Sequence, residues 1–242
     1  NFEQPIYAAW DGSWYVDFPS TADMSINYYN AGKNPHHPVS GLIAIDITGF
    51  ELILTALGEV VVEDYDRLVD INNFREVVYD IRTYGQNEHK EFLASLYRSI
   101  LENWQSVEQD SSLALINALL QALNQKHLLI YLPDSNSQKI IELLGWSGSQ
   151  KMSPESDYIL VADTNLGNKS NHSVIQSLTY DVEIQLDQSR TSNLRIQYDY
   201  FDTLAKDDPA VDPEFHGPID YKTLTQIHLP ANIEIIEEEN LN

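Results

Sequence analysis

The apolar and polar positions of this chain change rhythm partway along it. From residue 39 to residue 165, short unbroken apolar runs alternate with segments whose apolar residues recur at helical spacing. The organising stretch is Val39 to Val62. In it, Gly41-Leu42-Ile43-Ala44-Ile45-Asp46 leaves no face for water and predicts a buried strand. Thr48 then caps a helix that buries Phe50, Leu52, Ile53, Leu54 and Leu57. Gly58 stops it, and Val60-Val61-Val62 opens another strand. Further on, Asn73 caps a segment carrying Phe74, Val77, Val78 and Ile81, and Asn87 caps a longer one. The apolar residues of the longer segment, Phe92, Leu93, Leu96, Tyr97, Ile100, Leu101 and Trp104, form one stripe at helical period.

A third helix is expected from about Ser111 through Leu123. His127 to Leu132 reads as a second buried strand, Ser135 starts a helix closed by Gly145, and Tyr158 to Ala162 makes a third strand. A strand–helix–strand order predicts a parallel α/β layer. Beyond Asp163 the rhythm becomes alternating: Ser173–Leu186 and Leu194–Phe201 flank the polar turn Asp187-Gln188-Ser189-Arg190 and predict a half-buried antiparallel hairpin. Tyr221–Leu229 adds one more strand. The expected fold is therefore α/β over residues 1–165, a mixed and largely buried sheet flanked by helices, with an antiparallel β extension over residues 166–242. Near the start, Ser20 or Thr21 begins a helix that ends at Gly32.

Composition narrows the function classes. The chain carries 37 acidic and 14 basic residues, a formal charge of −23, and no basic cluster; such a field repels nucleic acid and anionic headgroups. No cysteine is present, which removes disulfides and thiolate metal sites. No apolar run is long enough to span a bilayer, and residues 1–20 lack a signal pattern.

Candidate chemistry is sparse. The aromatic opening, with Phe2, Tyr7, Trp10, Trp14, Tyr15 and Phe18, reads either as a segment packed across a core edge or as a stacking platform for sugar rings. His36 and His37 sit in a proline-flanked loop, where adjacent histidines point apart more often than they share a metal. Asn165, Gly167 and Lys169 lie in a tight turn that is either a structural corner or an anion nest of backbone N–H groups. Asp207, Asp208 and Asp212 offer oxygen ligands to a divalent cation such as calcium, without the spacing of an EF-hand loop. No phosphate loop, dinucleotide fingerprint, nucleophile elbow or zinc-protease motif occurs.

Three segments together carry a resemblance: Asp17-Phe18-Pro19-Ser20-Thr21-Ala22; Val39 to Asp46 with Leu57-Gly58-Glu59-Val60-Val61-Val62; and Asp163 to Ser170. His89-Lys90-Glu91-Phe92-Leu93 and the Ile130-Tyr131 strand fit the same pattern. The chain resembles a bacterial extracellular envelope family catalogued as a domain of unknown function, which is distantly similar to the LytR–CpsA–Psr glycopolymer transferases. The resemblance implies an extracellular location, an anchoring segment upstream of this chain, and an extension that continues into further sequence. It implies as partners other envelope or surface proteins, or a cell-wall glycan. The transferases grip a polyprenyl pyrophosphate with arginines and hold a divalent ion such as magnesium with acidic residues. On this chain the matching positions reduce to Asp11, Arg82 and Lys90, and Trp10 stands where the cation beside Asp11 is expected. The expectation is a non-catalytic envelope or surface-assembly protein without a resident cofactor. The alternatives are a transferase attaching glycopolymers to the cell wall and a carbohydrate-binding module.

Overall fold

The computed structural model describes residues 14–32, 39–84, 88–106, 109–150, 157–166, 170–207, 214, 218–230 and 233–239. They fall into two compact units, Asn1–Ser156 and Asp157–Asn242. Together they form a mixed α/β protein with seven α-helices and four small antiparallel ladders among the described residues.

The first unit opens with α1 (Phe18–Ala31), followed by β1 (Leu42–Ile45), α2 (Ile47–Leu57), β2 (Val60–Val62) and β3 (Arg67–Val69). Then come α3 (Phe74–Tyr84), α4 (Glu88–Ser106), α5 (Gln109–Asn124), β4 (Leu128–Tyr131) and α6 (Ser135–Leu143). Aspartates set three of the helix starts. Asp17 accepts from the Ser20 N–H at 3.1 Å, Asp46 from Gly49 at 2.8 Å and Asp134 from Ser137 at 2.8 Å. A carboxylate both satisfies an orphan N–H and meets the positive end of the helix dipole. Asp17 and Asp46 therefore take the capping positions that the sequence suggested for Ser20 or Thr21 and for Thr48.

The expected parallel layer does not form. β1 runs antiparallel to β4, with Leu42 opposite Tyr131 and Ile45 opposite Leu128. β2 folds back on β3, a strand without an apolar run to announce it, with Val60 opposite Val69. The reversal occurs over the 3₁₀ turn Glu63–Tyr65 and Asp66, whose φ of 48° is left-handed. Aspartate tolerates that conformation better than most side chains, and a short connection permits only antiparallel neighbours. Neither apolar run is buried on both faces, since Ile43 is 62% and Val61 54% exposed. A run of three or four apolar residues carries no periodicity, so it cannot distinguish one covered face from two.

The core lies between helices and the β2–β3 hairpin. Ile53 and Leu54 of α2, Val60, Val62 and Val69 of the hairpin, Phe74, Val77 and Ile81 of α3, Phe92, Leu96 and Ile100 of α4, and Leu115 of α5 make one cluster. The α4 stripe is narrower than its sequence pattern: Phe92, Leu96 and Ile100 are buried, while Tyr97 and Trp104 on its flanks are exposed. A smaller cluster of Ala122, Leu123 and Leu128 ties α5 to β4, with Trp146 against it.

The second unit contains β5 (Leu160–Asn165), β6 (Val174–Ile184), β7 (Arg190–Tyr200), α7 (Asp202–Asp207) and β8 (Thr223–His228). β5 pairs antiparallel with β8, Leu160 opposite His228, and it is half-buried where the sequence suggested a third buried strand. β6 and β7 form the expected antiparallel hairpin, paired from Val174–Tyr200 to Ile184–Arg190. It is less covered than its alternation suggests. The strand β6 is exposed along nearly its whole length, and only Val174 and Tyr180 are half-buried.

Candidate functional site

The described residues offer two hollows, one polar hub and one apolar strand face. Of the residues singled out in the sequence, Asp11, Gly167, Lys169, Asp208 and Asp212 lie outside the described part, as do Trp10, His36 and His37. Arg82 falls in the last turn of α3, Lys90 in the first turn of α4 and Asp207 at the end of α7, with side chains outside the described part. Asn165 closes β5 opposite Thr223, and its side-chain amide donates to Asn171 Oδ1. Among the described residues, no three His, Asp or Glu side chains converge as a metal ion would require.

The first hollow, about 600 Å³, runs along α1 and is lined by Tyr15, Ser20, Asp23, Met24, Asn27, Tyr28 and Ala31. Helical spacing explains the placement. Phe18, Ala22 and Ile26 follow one another at i+4 and face inward, which turns Asp23, Asn27 and Ala31 outward one turn apart. Asn27 Nδ2 donates to Asp23 Oδ2 at 3.1 Å. Burial, then the charge of Asp23 and the hydrogen bond to it, push the Tyr131 hydroxyl above the ordinary tyrosine value. The segment before α1 is pinned. Thr21 Oγ1 donates to the Tyr15 carbonyl at 2.7 Å, and the Gln150 N–H donates to Asp17 Oδ1 at 3.0 Å. Trp14 and Tyr15 are 45% and 51% exposed.

The second hollow, also about 600 Å³, is lined by Asp64, Tyr65, Glu91, Ala94, Ser95 and Arg98. Ser95 Oγ donates to Asp64 Oδ2 at 2.9 Å, and Arg98 Nη2 donates to Asp64 Oδ2 at 3.2 Å and to Ser95 Oγ at 2.7 Å. Two carboxylates against one guanidinium leave this lining net negative. That balance does not suit a pyrophosphate, which needs several converging cations.

Asp163 is the hub that the sequence did not reveal. The hydroxyls of Tyr198 and Thr225 both donate to its Oδ1 at 2.7 Å, and Gln176 Nε2 donates to its Oδ2 at 2.6 Å. These partners come from β7, β8 and β6, so one carboxylate on β5 joins the two ladders of the second unit. Burial, and then the bond to Asp163, hold the Tyr198 hydroxyl above its ordinary value. Tyr221 packs beside Tyr198, ring centroids 6.4 Å apart. The carboxylate is occupied by donors, an arrangement suited to holding strands together.

The hairpin supplies the strand face. Residues directly opposite in an antiparallel pair share a face. Leu178 therefore stands with Ile196 and Tyr180 with Leu194, and Val182 and Ile184 continue the row on β6 opposite Ser192 and Arg190. Leu178 is 46%, Val182 44% and Ile184 68% exposed, with Tyr180 half-buried between them. The opposite face carries Ser177, Thr179, Asp181 and Glu183 with Gln197, Arg195, Asn193 and Thr191.

Comparison with models of protein families, with curated proteins and with solved structures gave no match. No helix of the described residues is long and apolar enough to cross a membrane.

Proposed function

We propose that this chain is a non-catalytic extracellular protein of the bacterial envelope, working in surface assembly through contacts with other envelope proteins. The observation that carries this reading is the apolar row Leu178, Val182 and Ile184 on a two-stranded hairpin whose other face is polar from Ser177 to Glu183. An isolated two-stranded hairpin is marginal in water, and exposed apolar rows on such an element mark surfaces that another chain covers. Its open edges also offer backbone donors and acceptors to an added strand. The net charge of −23 supports the same reading, because it keeps such a chain soluble while it displays an apolar face. The segments around Asp17, Val39–Val62 and Asp163–Ser170, which resemble the envelope family, support the extracellular location.

The test introduces charge into the row. Val182→Glu and Ile184→Glu are expected to leave the melting temperature unchanged and to abolish co-sedimentation of the chain with isolated envelopes. Unchanged co-sedimentation of both variants would overturn the assembly role. So would transfer of glycopolymer from a polyprenyl-pyrophosphate donor, in the presence of magnesium, that Arg82→Ala and Lys90→Ala abolish.

A further inference from the structure

We propose that the hollow beside α1 binds a neutral oligosaccharide, with Tyr15 as the stacking ring and Asp23 and Asn27 as the polar grip. The inference goes beyond the assembly role, which rests on the hairpin of the other unit, and the two fail separately. A pyranose ring presents a face of C–H bonds and a rim of hydroxyls. Its recognition therefore needs an exposed aromatic face beside planar carboxylate or amide groups. Both are present. Tyr15 is 51% exposed, and its backbone is fixed by the Thr21 hydroxyl at 2.7 Å. With the backbone held at that point, only the side-chain rotamers of Tyr15 remain to be ordered on binding.

The acceptors are arranged in the same way. Asp23 and Asn27 lie one helical turn apart on the lining, joined by a 3.1 Å hydrogen bond that orients both groups. A carboxylate has about four acceptor positions, so Asn27 and the Tyr131 hydroxyl leave capacity for ligand hydroxyls. The charge of the site selects among ligands. Among the described residues its lining holds a carboxylate and no cation, in a chain of formal charge −23, which disfavours phosphates and uronates. A lipid chain is excluded for a different reason, since it would strip water from Asp23 and Asn27 without replacing their hydrogen bonds. The hollow measures about 600 Å³ and is open to solvent.

Calorimetric titration of the whole chain with N-acetylglucosamine tetramer, cellotetraose and maltotetraose tests this, with tetragalacturonate as the anionic counterpart. Saturable binding of at least one neutral oligomer is expected, and none of the uronate. Tyr15→Ala and Asn27→Ala should each weaken binding about tenfold, and Tyr15→Phe should retain it. If Tyr15→Ala also lowers the melting temperature, Asn27→Ala at its exposed position decides. Val182→Glu in the hairpin should bind as the parent does, which separates this site from the assembly face. The proposal is overturned if no neutral oligomer binds at millimolar concentration, if the uronate binds as tightly, or if Asn27→Ala leaves the affinity unchanged.

Discussion

The two units of this protein hold themselves together by different means. In Asn1–Ser156, Leu54, Val60, Val62, Val69, Phe92 and Leu96 are almost completely withdrawn from water in one contiguous cluster. In Asp157–Asn242, Ala205 is the one described hydrophobic side chain in the buried class, and order comes from long ladders and the Asp163 hub. Apolar burial is non-directional and scales with area, so it tolerates polar change at its surface and punishes lost volume. A hydrogen-bonded hub is the reverse, because removing its one acceptor breaks several directional bonds at once. The comparison therefore predicts opposite sensitivities in the two units.

The largest effect is expected from Phe92→Ala. Its ring is fully buried and meets Tyr65 edge-on, with centroids 5.2 Å apart. Truncation should cost about 3–5 kcal/mol, measured by urea denaturation. A loss below about 1 kcal/mol would mean that the helical core is not what orders this unit. Next comes Asp163→Ala, which leaves Tyr198, Thr225 and Gln176 without their shared acceptor. Asp163 is exposed, so water replaces part of what is lost, and the cost should be about 0.5–1.5 kcal/mol, accompanied by loss of amide protection in β5 and β8. A change confined to a few tenths of a kcal/mol would show that backbone pairing alone suffices there.

Smaller effects sharpen the contrast through pH. Burial acts to raise the Asp46 carboxyl, but its hydrogen bonds from His127, at 2.8 Å, and from Gly49 outweigh that and hold it below its ordinary value. The carboxylate form is thus favoured in the folded chain. Its stabilisation is present above the ordinary carboxylate value and is lost as pH falls through the lowered one. Asp46→Asn keeps the α2 cap but should flatten the fall in melting temperature between about pH 5 and about pH 2. A parallel curve for parent and variant would refute that assignment.

Tyr198 gives the smallest signal, at the other end of the scale. Its neutral form is favoured by folding, so the contribution is complete below the ordinary tyrosine value and disappears as pH rises through the raised one. Ultraviolet titration should find two tyrosines, Tyr198 and Tyr131, ionising late. In Asp163→Asn, Tyr198 should still ionise above the ordinary value, because burial is the larger cause.

Helix positions were legible in the sequence because 3.6-residue periodicity writes them locally, although the capping residues were misplaced by a few positions from Asp17 and Asp46. The segments carrying Phe74, Phe92 and Leu115 became helices close to where spacing placed them. Strand partners were not legible. An apolar run such as Leu42–Ile45 has no direction, and the cue that reverses β2 onto β3 is a single left-handed Asp66. The Asp163 hub was hidden for a different reason, since residues 163, 176, 198 and 225 meet only after two ladders have formed. The α1 hollow was half visible. Tyr15 stood out as an aromatic, and the helix expected from Ser20 or Thr21 to Gly32 already sets Asp23 and Asn27 one turn apart, but nothing in the sequence brings Tyr15 to them.

The β6–β7 hairpin has a mechanical consequence. Eleven paired residues at about 3.4 Å each make a rod about 35 Å long, from its base at Val174 to its tip at Leu186 and Asp187. A load taken at that turn is shared by both strands and runs along them, perpendicular to the bonds of the ladder. It does not peel those bonds one after another, as a pull on a single strand end does. Whatever is gripped at the tip is held on a stiff strut, and tension reaches the base without first unzipping the element that carries it.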